Sequence, residues 1–205
     1  MKAVILNCTL KGSPEPSSTE ALARVVGNEL KKQGVTYEMI RVADCALLPG
    51  VTSNEGPGDE WPAIRQKILD AEILVLASPT WMGRPSSMAQ RVIERMDGML
   101  KEKDADGKPV AYNHVAGFVA TGNEDGAKHV IAEMAAAMVE VGFTVPGHCW
   151  TYYNQGSPMG PPYLENKDPK SKTRAHRNAK TAAHTLANVA KALQAAPIPA
   201  DTLNE

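Results

Sequence analysis

Apolar and polar positions alternate along this chain with two periods, which predict strands and helices in turn. Short apolar runs predict five strands, at 3–6, 36–41, 73–77, 114–120 and from 143 onward. Apolar residues at intervals of three and four predict intervening helices, which begin at Glu20 and cover 61–71, 88–100, 130–141 and 175–193. The run 73–77 is apolar throughout, as is typical of a strand covered on both faces. This alternation predicts an α/β fold, a doubly wound five-stranded parallel sheet with helices on both faces.

The length of 205 residues suits one domain with a sizeable core. We expect that domain to cover 1–196, with a tail at 197–205. A loop excursion at about 150–172 includes the Gly- and Pro-rich stretch 154–162. No internal repeat is visible.

Charge, hydropathy and cysteine spacing exclude several classes of protein. A formal net charge of −1 gives no reason to expect a nucleic-acid partner. No apolar run approaches the roughly 20 residues that span a bilayer, and the first is too short for a signal-peptide core. Cys8, Cys45 and Cys149 lie far apart, which argues against a metal site and against a disulfide framework. We therefore expect a cytoplasmic protein with no membrane partner and no metal.

The loop after the first strand is rich in hydroxyl groups. It contains Thr9 and Lys11, and Ser17, Ser18 and Thr19 come immediately before the first helix. Hydroxyls and free backbone N–H groups at a helix N-terminus, beyond the carboxyl end of a strand, suit a bound phosphate. The same residues also suit a plain helix cap by Ser18 or Thr19. The loop alone leaves both interpretations open.

The loop after the third strand, 78–87, combines bulky and flexible residues. Trp81 and Met82 precede Gly83, a combination that offers an apolar wall and close backbone approach to a flat ring. A helix capped by Ser86 or Ser87 follows. The alternative is that Trp81 and Met82 merely cover the sheet edge.

The loop after the fourth strand, 121–126, contains two glycines and small polar groups that permit unusual backbone angles near a ligand. Alternatively it is a plain helix start capped by Asn123 or Asp125. In a sheet of order 2-1-3-4-5, strands one, three and four end at the switch point. The three loops together therefore indicate one ligand site.

The loop Ser78-Pro79-Thr80-Trp81-Met82-Gly83-Arg84-Pro85, followed by Met88-Ala89-Gln90, resembles the strand-end Pro–aromatic–Gly–x–Pro loop of one superfamily. That superfamily is the flavodoxin-like NADPH-dependent FMN reductases, which include NAD(P)H quinone reductases. The resemblance covers about residues 1–150, with the last helix as the fifth crossover. In the first loop, Cys8-Thr9 replaces the usual Gly-Ser, Lys11 stands for the usual arginine, and Ser18-Thr19 supply the later pair. Residues 12–16 lengthen this loop.

The resemblance implies a flavodoxin-like fold that binds FMN and uses NADPH or NADH as co-substrate. It implies hydride transfer to FMN and onward to a flavin, a quinone or a similar small-molecule acceptor, with no protein general base. The alternative is a flavodoxin-type electron carrier, but flavodoxins are typically shorter and strongly acidic. The implied FMN-binding residues are Thr9, Lys11, Ser17, Ser18, Thr19, Pro79, Thr80, Trp81, Met82, Gly83, Thr121, Gly122, Asn123, Asp125 and Gly126.

Three further features have two interpretations each. His129 and Glu133 are four residues apart, and we interpret them as a solvated helix face rather than a metal site. The basic stretch 167–177 suits a solvated helix start or a site near the phosphate of a nicotinamide dinucleotide. Aromatic residues, prolines and a methionine crowd 150–163, either as a flap over the core or as an interface. On the second interpretation, which matches the dimers common in the resembled family, we expect a homodimer or homotetramer.

Overall fold

The protein is described by a computed structural model that covers residues 1–156 and 158–200. Its sheet has five parallel strands in the order β2-β1-β3-β5-β6, and a short strand, β4, lies antiparallel to the end of β3. The strands are β1 Lys2–Asn7, β2 Thr36–Arg41, β3 Ile73–Trp81, β4 Arg84–Pro85, β5 Val115–Thr121 and β6 Trp150–Tyr153. Counted over the parallel strands alone, the order is the predicted 2-1-3-4-5, and the predicted fold class is confirmed.

Five α-helices cover both faces of this sheet. They are α1 Ser18–Lys32, α2 Trp61–Leu69, α3 Ser87–Met96, α4 Ala127–Val141 and α5 Pro169–Ala195. Helix α1 packs against α5, and α3 packs against α4. All seven residues of β5 are buried, so the core lies on both sides of the central strands, as the apolar runs predict.

The fifth parallel strand begins later than predicted. Thr144 makes only a single bridge, to Val115, before Pro146 interrupts the ladder, because proline has no N–H to donate. The chain regains the sheet at Cys149, whose carbonyl accepts from the Phe118 N–H, and β6 then pairs with β5. Residues 150–153 are therefore part of the sheet, and the predicted start of the excursion at about 150 is wrong.

Several other boundaries also differ from the predictions. Strand β3 does not end at Ala77 but continues to Trp81, because its last two residues pair with β4. Helix α1 begins at Ser18 and its cap is Ser17, so the predicted caps Ser18 and Thr19 are wrong. Helix α4 has Gly126 at its N-cap, where the predicted candidates were Asn123 and Asp125. Because of these shifts, β3, α1 and α4 are each longer than the sequence predicted.

Part of the predicted tail is attached to the fold. The Ile198 N–H donates to Asn113 Oδ1 at 2.7 Å, and Asn113 Nδ2 donates back to the Ile198 carbonyl at 3.3 Å. Residues 201–205 of that tail, and Ser157 of the excursion, lie outside the described residues. Within the described ranges, no helix is both long enough and apolar enough to cross a bilayer.

Candidate functional site

Three segments that follow parallel strands meet at the carboxyl edge of the sheet. They are the first loop (8–17), the β3–β4 hairpin (78–85) and the third loop (122–126). Thr19 Oγ1 lies 2.7 Å from Thr121 Oγ1, which joins the start of α1 to the end of β5. Ser86 Oγ donates to the Cys8 carbonyl at 2.6 Å, which joins the end of the hairpin to the first loop. The convergence predicted from strand order is therefore present, fixed by buried hydroxyl groups.

The start of α1 presents several hydrogen-bond donors. Ser17 Oγ accepts from the Glu20 N–H at 3.1 Å, so the hydroxyl proton of Ser17 is available to another acceptor. The N–H groups of Ser18 and Thr19 lie in the first helical turn, where no intrahelical acceptor exists. Among the residues that the structure describes, neither N–H has another acceptor. Such donors, together with the positive end of the helix dipole, suit an anion.

The predicted residues Thr9 and Lys11 shape the first loop in different ways. Thr9 is buried, and its Oγ1 accepts from the Lys11 N–H at 3.4 Å. Lys11 is exposed, and its Nζ donates to the Pro16 carbonyl at 3.3 Å. The ammonium group therefore crosses the loop from the strand side to the helix side and adds a positive charge near the α1 N-terminus.

Arg41, at the end of β2, supports the first loop, and sequence reasoning missed it. Its Nη1 donates to the carbonyls of Gly12 at 3.0 Å and Glu15 at 2.8 Å, and its Nη2 pairs with the Glu20 carboxylate. Burial would raise the pKa of Glu20, but hydrogen bonds from Arg41 and Arg24 outweigh it and lower that pKa. Glu20 therefore stays ionised and compensates the Arg41 charge. The signal in the sequence was an arginine at the carboxyl end of β2, the strand that pairs with β1.

The other side of the first loop is held by Asp44. Its carboxylate accepts from the Ser13 N–H at 2.7 Å and from Ser13 Oγ at 2.6 Å. These two hydrogen bonds lower the pKa of Asp44. The lengthening at 12–16, which distinguishes this loop from the resembled family, is therefore fastened by both Arg41 and Asp44.

The hairpin places Trp81 and Met82 at the edge of the site. Met82 has φ of 50° and Gly83 has φ of 74°, the pair of positive values that a tight two-residue hairpin turn requires. Met82 is 93% exposed and Trp81 is 57% exposed. Arg84 Nη1 pairs with Glu133 on α4 at 2.7 Å, which anchors the hairpin to that helix. Two apolar side chains are thus held out into solvent beside the loops.

The third loop packs closely against the hairpin. A Cβ added to Gly126 would lie 2.7 Å from the Gly83 Cα, and one added to Gly122 would lie 3.0 Å from the Thr80 Cβ. Thr80 itself is buried, and its Oγ1 has no hydrogen-bond partner among the described residues. An unpartnered buried hydroxyl costs folding free energy, so Thr80 Oγ1 is a group that a ligand at this edge could satisfy. Pro79 is half-buried and pairs in register with Thr121, between these two contacts.

A strap, formed by residues 154–156 and 158–166, runs along the same edge. The Gly160 N–H donates to the Asn123 carbonyl at 3.1 Å, and the Leu164 N–H donates to Ser18 Oγ at 3.3 Å. Tyr153 Oη donates to the Pro161 carbonyl at 2.9 Å and fixes the middle of the strap. The strap therefore links the third loop to the start of α1. Asn123 takes part through its backbone carbonyl, and Asp125 is exposed.

The arrangement suits cofactor binding rather than acid–base or nucleophilic chemistry by the protein. Cys8 is the buried thiol nearest the loops, and burial raises its pKa far above the ordinary range, so it stays protonated and unreactive. His129 Nε2 lies 2.9 Å from the Glu133 carboxylate on an exposed face of α4, in the position interpreted as a solvated surface. No group of three or more His, Cys, Asp or Glu within the described ranges is placed to hold a metal ion. The polar groups at the edge instead offer N–H and O–H donors.

Three comparisons relate the chain to known proteins. It is 34% identical over 177 residues to 8-demethyl-8-aminoriboflavin-5'-phosphate synthase of Streptomyces davaonensis, covering 82% of this chain and 68% of that protein. It is 35% identical over 169 residues to a Mycobacterium bovis protein named divalent metal cation transporter MntH, covering 80% of this chain. The chain spans only about a quarter of that second relative, 25% of its length.

A crystal structure of RosB with bound 8-demethyl-8-formylriboflavin-5'-phosphate superposes with a TM-score of 0.87 at 30% identity, covering 97% of this chain and 82% of RosB. The sequence profile described as NADPH-dependent FMN reductase matches residues 1–157. This description names FMN and NADPH, which agree with the FMN and nicotinamide nucleotide that the resemblance implied as cofactors. The predicted family is confirmed: this chain belongs to the NADPH-dependent FMN reductases.

Proposed function

We propose that this chain is an FMN-dependent NAD(P)H oxidoreductase that passes reducing equivalents to a flavin, a quinone or a similar small acceptor. The observation that carries the proposal is the hydroxyl pair of Thr19 and Thr121, 2.7 Å apart, which joins the donor-rich start of α1 to the end of β5, next to the hairpin and the third loop. A flavin mononucleotide has both parts, a phosphate and a flat ring.

The phosphate belongs at the start of α1. The hydroxyls of Ser17 and Ser18 each already accept a backbone N–H, so each directs its own proton elsewhere. The N–H groups of Ser18 and Thr19 add two donors, and the Lys11 ammonium adds charge. Thr9 supports this set by fixing the backbone of the first loop.

The flat ring belongs on the surface that the hairpin and the third loop form together, because these two segments pack directly against each other. Gly122 and Gly126 let these segments approach each other without side chains, and Thr80 supplies a buried hydroxyl without a protein partner. Trp81 and Met82 provide apolar surface at the rim. When bound, FMN supplies the hydride-accepting ring, so the protein needs only to bind, orient and partly shield it.

Steady-state kinetics with the FMN-loaded protein test the reductase proposal against the flavodoxin-type carrier. We expect NADPH or NADH to be oxidised with a quinone or free flavin as acceptor, in parallel-line ping-pong patterns. The carrier alternative predicts reduction by dithionite and none by either nucleotide.

A second candidate is that a riboflavin phosphate is the substrate rather than a retained cofactor. The similarity to 8-demethyl-8-aminoriboflavin-5'-phosphate synthase and to RosB supports it. The name of the first protein contains a modified riboflavin phosphate, and the crystal structure of the second contains one as its bound ligand. Mass spectrometry of the flavin after many turnovers separates the two: unchanged FMN agrees with a reductase, and a mass change at the ring agrees with a flavin-modifying enzyme.

The proposed assembly is a homo-oligomer. Apolar side chains stand exposed around the mouth of the site, on the first loop, the hairpin and the strap: Leu10, Trp81, Met82, Met159 and Leu164. A cluster of this kind suits a protein interface. Light scattering of the FMN-loaded protein should give the mass of two or four chains, and a monomer at micromolar concentration would contradict this.

A further inference from the structure

A groove of about 430 Å³ lies at the β6 edge of the sheet, and its lining residues are different from those of the three loops. Strand β6 forms its floor, and α4 and α5 form its sides. The groove is lined by Lys128, Trp150, Tyr152, Arg174, Asn178 and Thr181, among others. Its lining includes two cations and no carboxylate, although the whole chain has a formal net charge of −1.

Neither cation is engaged by an acid. Among the described residues, Lys128 and Arg174 have no carboxylate within salt-bridge distance. The Arg174 guanidinium lies 5.8 Å from the centre of the Tyr152 ring, so it is held over the aromatic wall. Lys170 and Arg177 are further basic residues in the first turns of α5, outside the groove lining. The field in this groove therefore attracts anions.

The aromatic residues of the groove favour a ligand that has a flat ring. Trp150 is 36% exposed on the edge strand β6, and Tyr152 is half-buried on the same strand. Asn178 and Thr181 add neutral hydrogen-bonding groups on the α5 side. We propose that this groove binds a planar heteroaromatic ring that carries phosphate, with the ring against Trp150, beside the Arg174–Tyr152 pair, and the phosphate toward Lys128 and Arg174.

A second copy of the chain is a poorer occupant. Symmetric pairing through the β6 edge would bring the same groove of both copies together, because a two-fold interface uses one patch twice, and this patch has two cations and no carboxylate. Like charges brought together in that way repel.

The groove lies beside the candidate flavin site. Tyr152 pairs in register with Ala120, one residue before Thr121, and Lys128 lies two residues after Gly126. Two sources of the same chemistry can therefore reach it: the adenosine-phosphate half of a nicotinamide co-substrate, or a separate nucleotide.

Isothermal titration of the FMN-loaded protein with adenosine 2′,5′-bisphosphate tests the proposal. We expect binding that weakens as salt rises and that weakens about tenfold or more in Arg174→Glu. The matched control is Lys180→Glu, which makes the same charge change on an exposed residue of the same helix outside the groove lining. We expect its affinity to stay within about twofold of the wild type.

Equal weakening in both variants would overturn the groove assignment, as would equally tight binding of adenosine without phosphate or no binding of the bisphosphate. A second titration with NADPH present identifies the source: displaced bisphosphate indicates the co-substrate's own adenosine half, and undisplaced bisphosphate indicates a separate nucleotide. These results do not depend on hydride transfer. A protein that no nicotinamide reduces would still show the loss of affinity in Arg174→Glu.

Discussion

Three consecutive hydroxyl residues at the start of α1 have three different partners. Ser17 caps the helix, Ser18 receives the strap, and Thr19 contacts Thr121. A sequence pattern identifies these three hydroxyl residues, but it does not show which hydroxyl caps the helix and which ones bind elsewhere, because each can both donate and accept a hydrogen bond. The partners of Ser18 and Thr19 lie 146 and 102 residues away, beyond the reach of any local pattern.

Ser18→Ala tests whether this hydroxyl reaches a phosphate. A hydrogen bond to a charged group contributes about 1.5–3 kcal/mol, so FMN affinity should fall roughly tenfold to a hundredfold in a titration of the apoprotein. Ser87→Ala is the matched control, because Ser87 is the first residue of α3, as Ser18 is the first residue of α1, and Ser87 is exposed. Equal FMN affinity in both variants would remove Ser18 from the site.

Asp44 predicts a pH dependence of the first loop. Its pKa is lowered in the folded protein by hydrogen bonds from Ser13, so this interaction stabilises the fold above the ordinary carboxyl pKa, about 3.9, and is lost as pH falls through the lowered value. Ser13→Ala should raise the pKa of Asp44 toward its ordinary value in an NMR titration of the carboxyl carbon. An unchanged pKa would show that Ser13 does not hold Asp44.

At the scale of elements, the hairpin and the third loop form one unit. The Met82–Gly83 turn leaves no room for a side chain at Gly126, and Arg84 ties the hairpin to α4. The sequence predicted that both segments are loops of one ligand site, the first with Gly83 and the second with Gly122 and Gly126. It did not predict that β3 extends to Trp81, because the pairing of Trp81 with Arg84 depends on two positive φ values at the turn.

A comparison of Gly126→Ala with Gly34→Ala separates the effect of backbone strain on stability from the effect of a blocked site on FMN affinity. Both glycines have positive φ, 96° and 78°, so alanine should lower the free energy of unfolding by about 1 kcal/mol at Gly34 and by more than that at Gly126. Only at Gly126 does the new Cβ collide with the hairpin, so only Gly126→Ala should also weaken FMN binding, measured by titration. Weakening of the same size in Gly34→Ala would mean that general destabilisation is the cause.

At the scale of the whole molecule, the order of the strands was predictable from the sequence, but the starting residue of the edge strand β6 was not. Buried runs such as Ile73–Ala77 and the right-handed crossover rule restrict the topology strongly. The position of β6 depends on Pro146, which breaks a ladder that the apolar run 143–145 had suggested. The support of the first loop by Arg41 and Asp44 also depends on tertiary contacts that no local spacing encodes.

The molecule as a whole is proposed to accept hydride from a nicotinamide nucleotide on a bound flavin. Anaerobic stopped-flow absorbance of the FMN-loaded protein at the flavin band measures that step directly. The account predicts that NADPH or NADH bleaches the bound flavin in a single turnover and that a quinone or free flavin restores the colour. If neither nucleotide bleaches the flavin within minutes while dithionite does, the oxidoreductase proposal is contradicted.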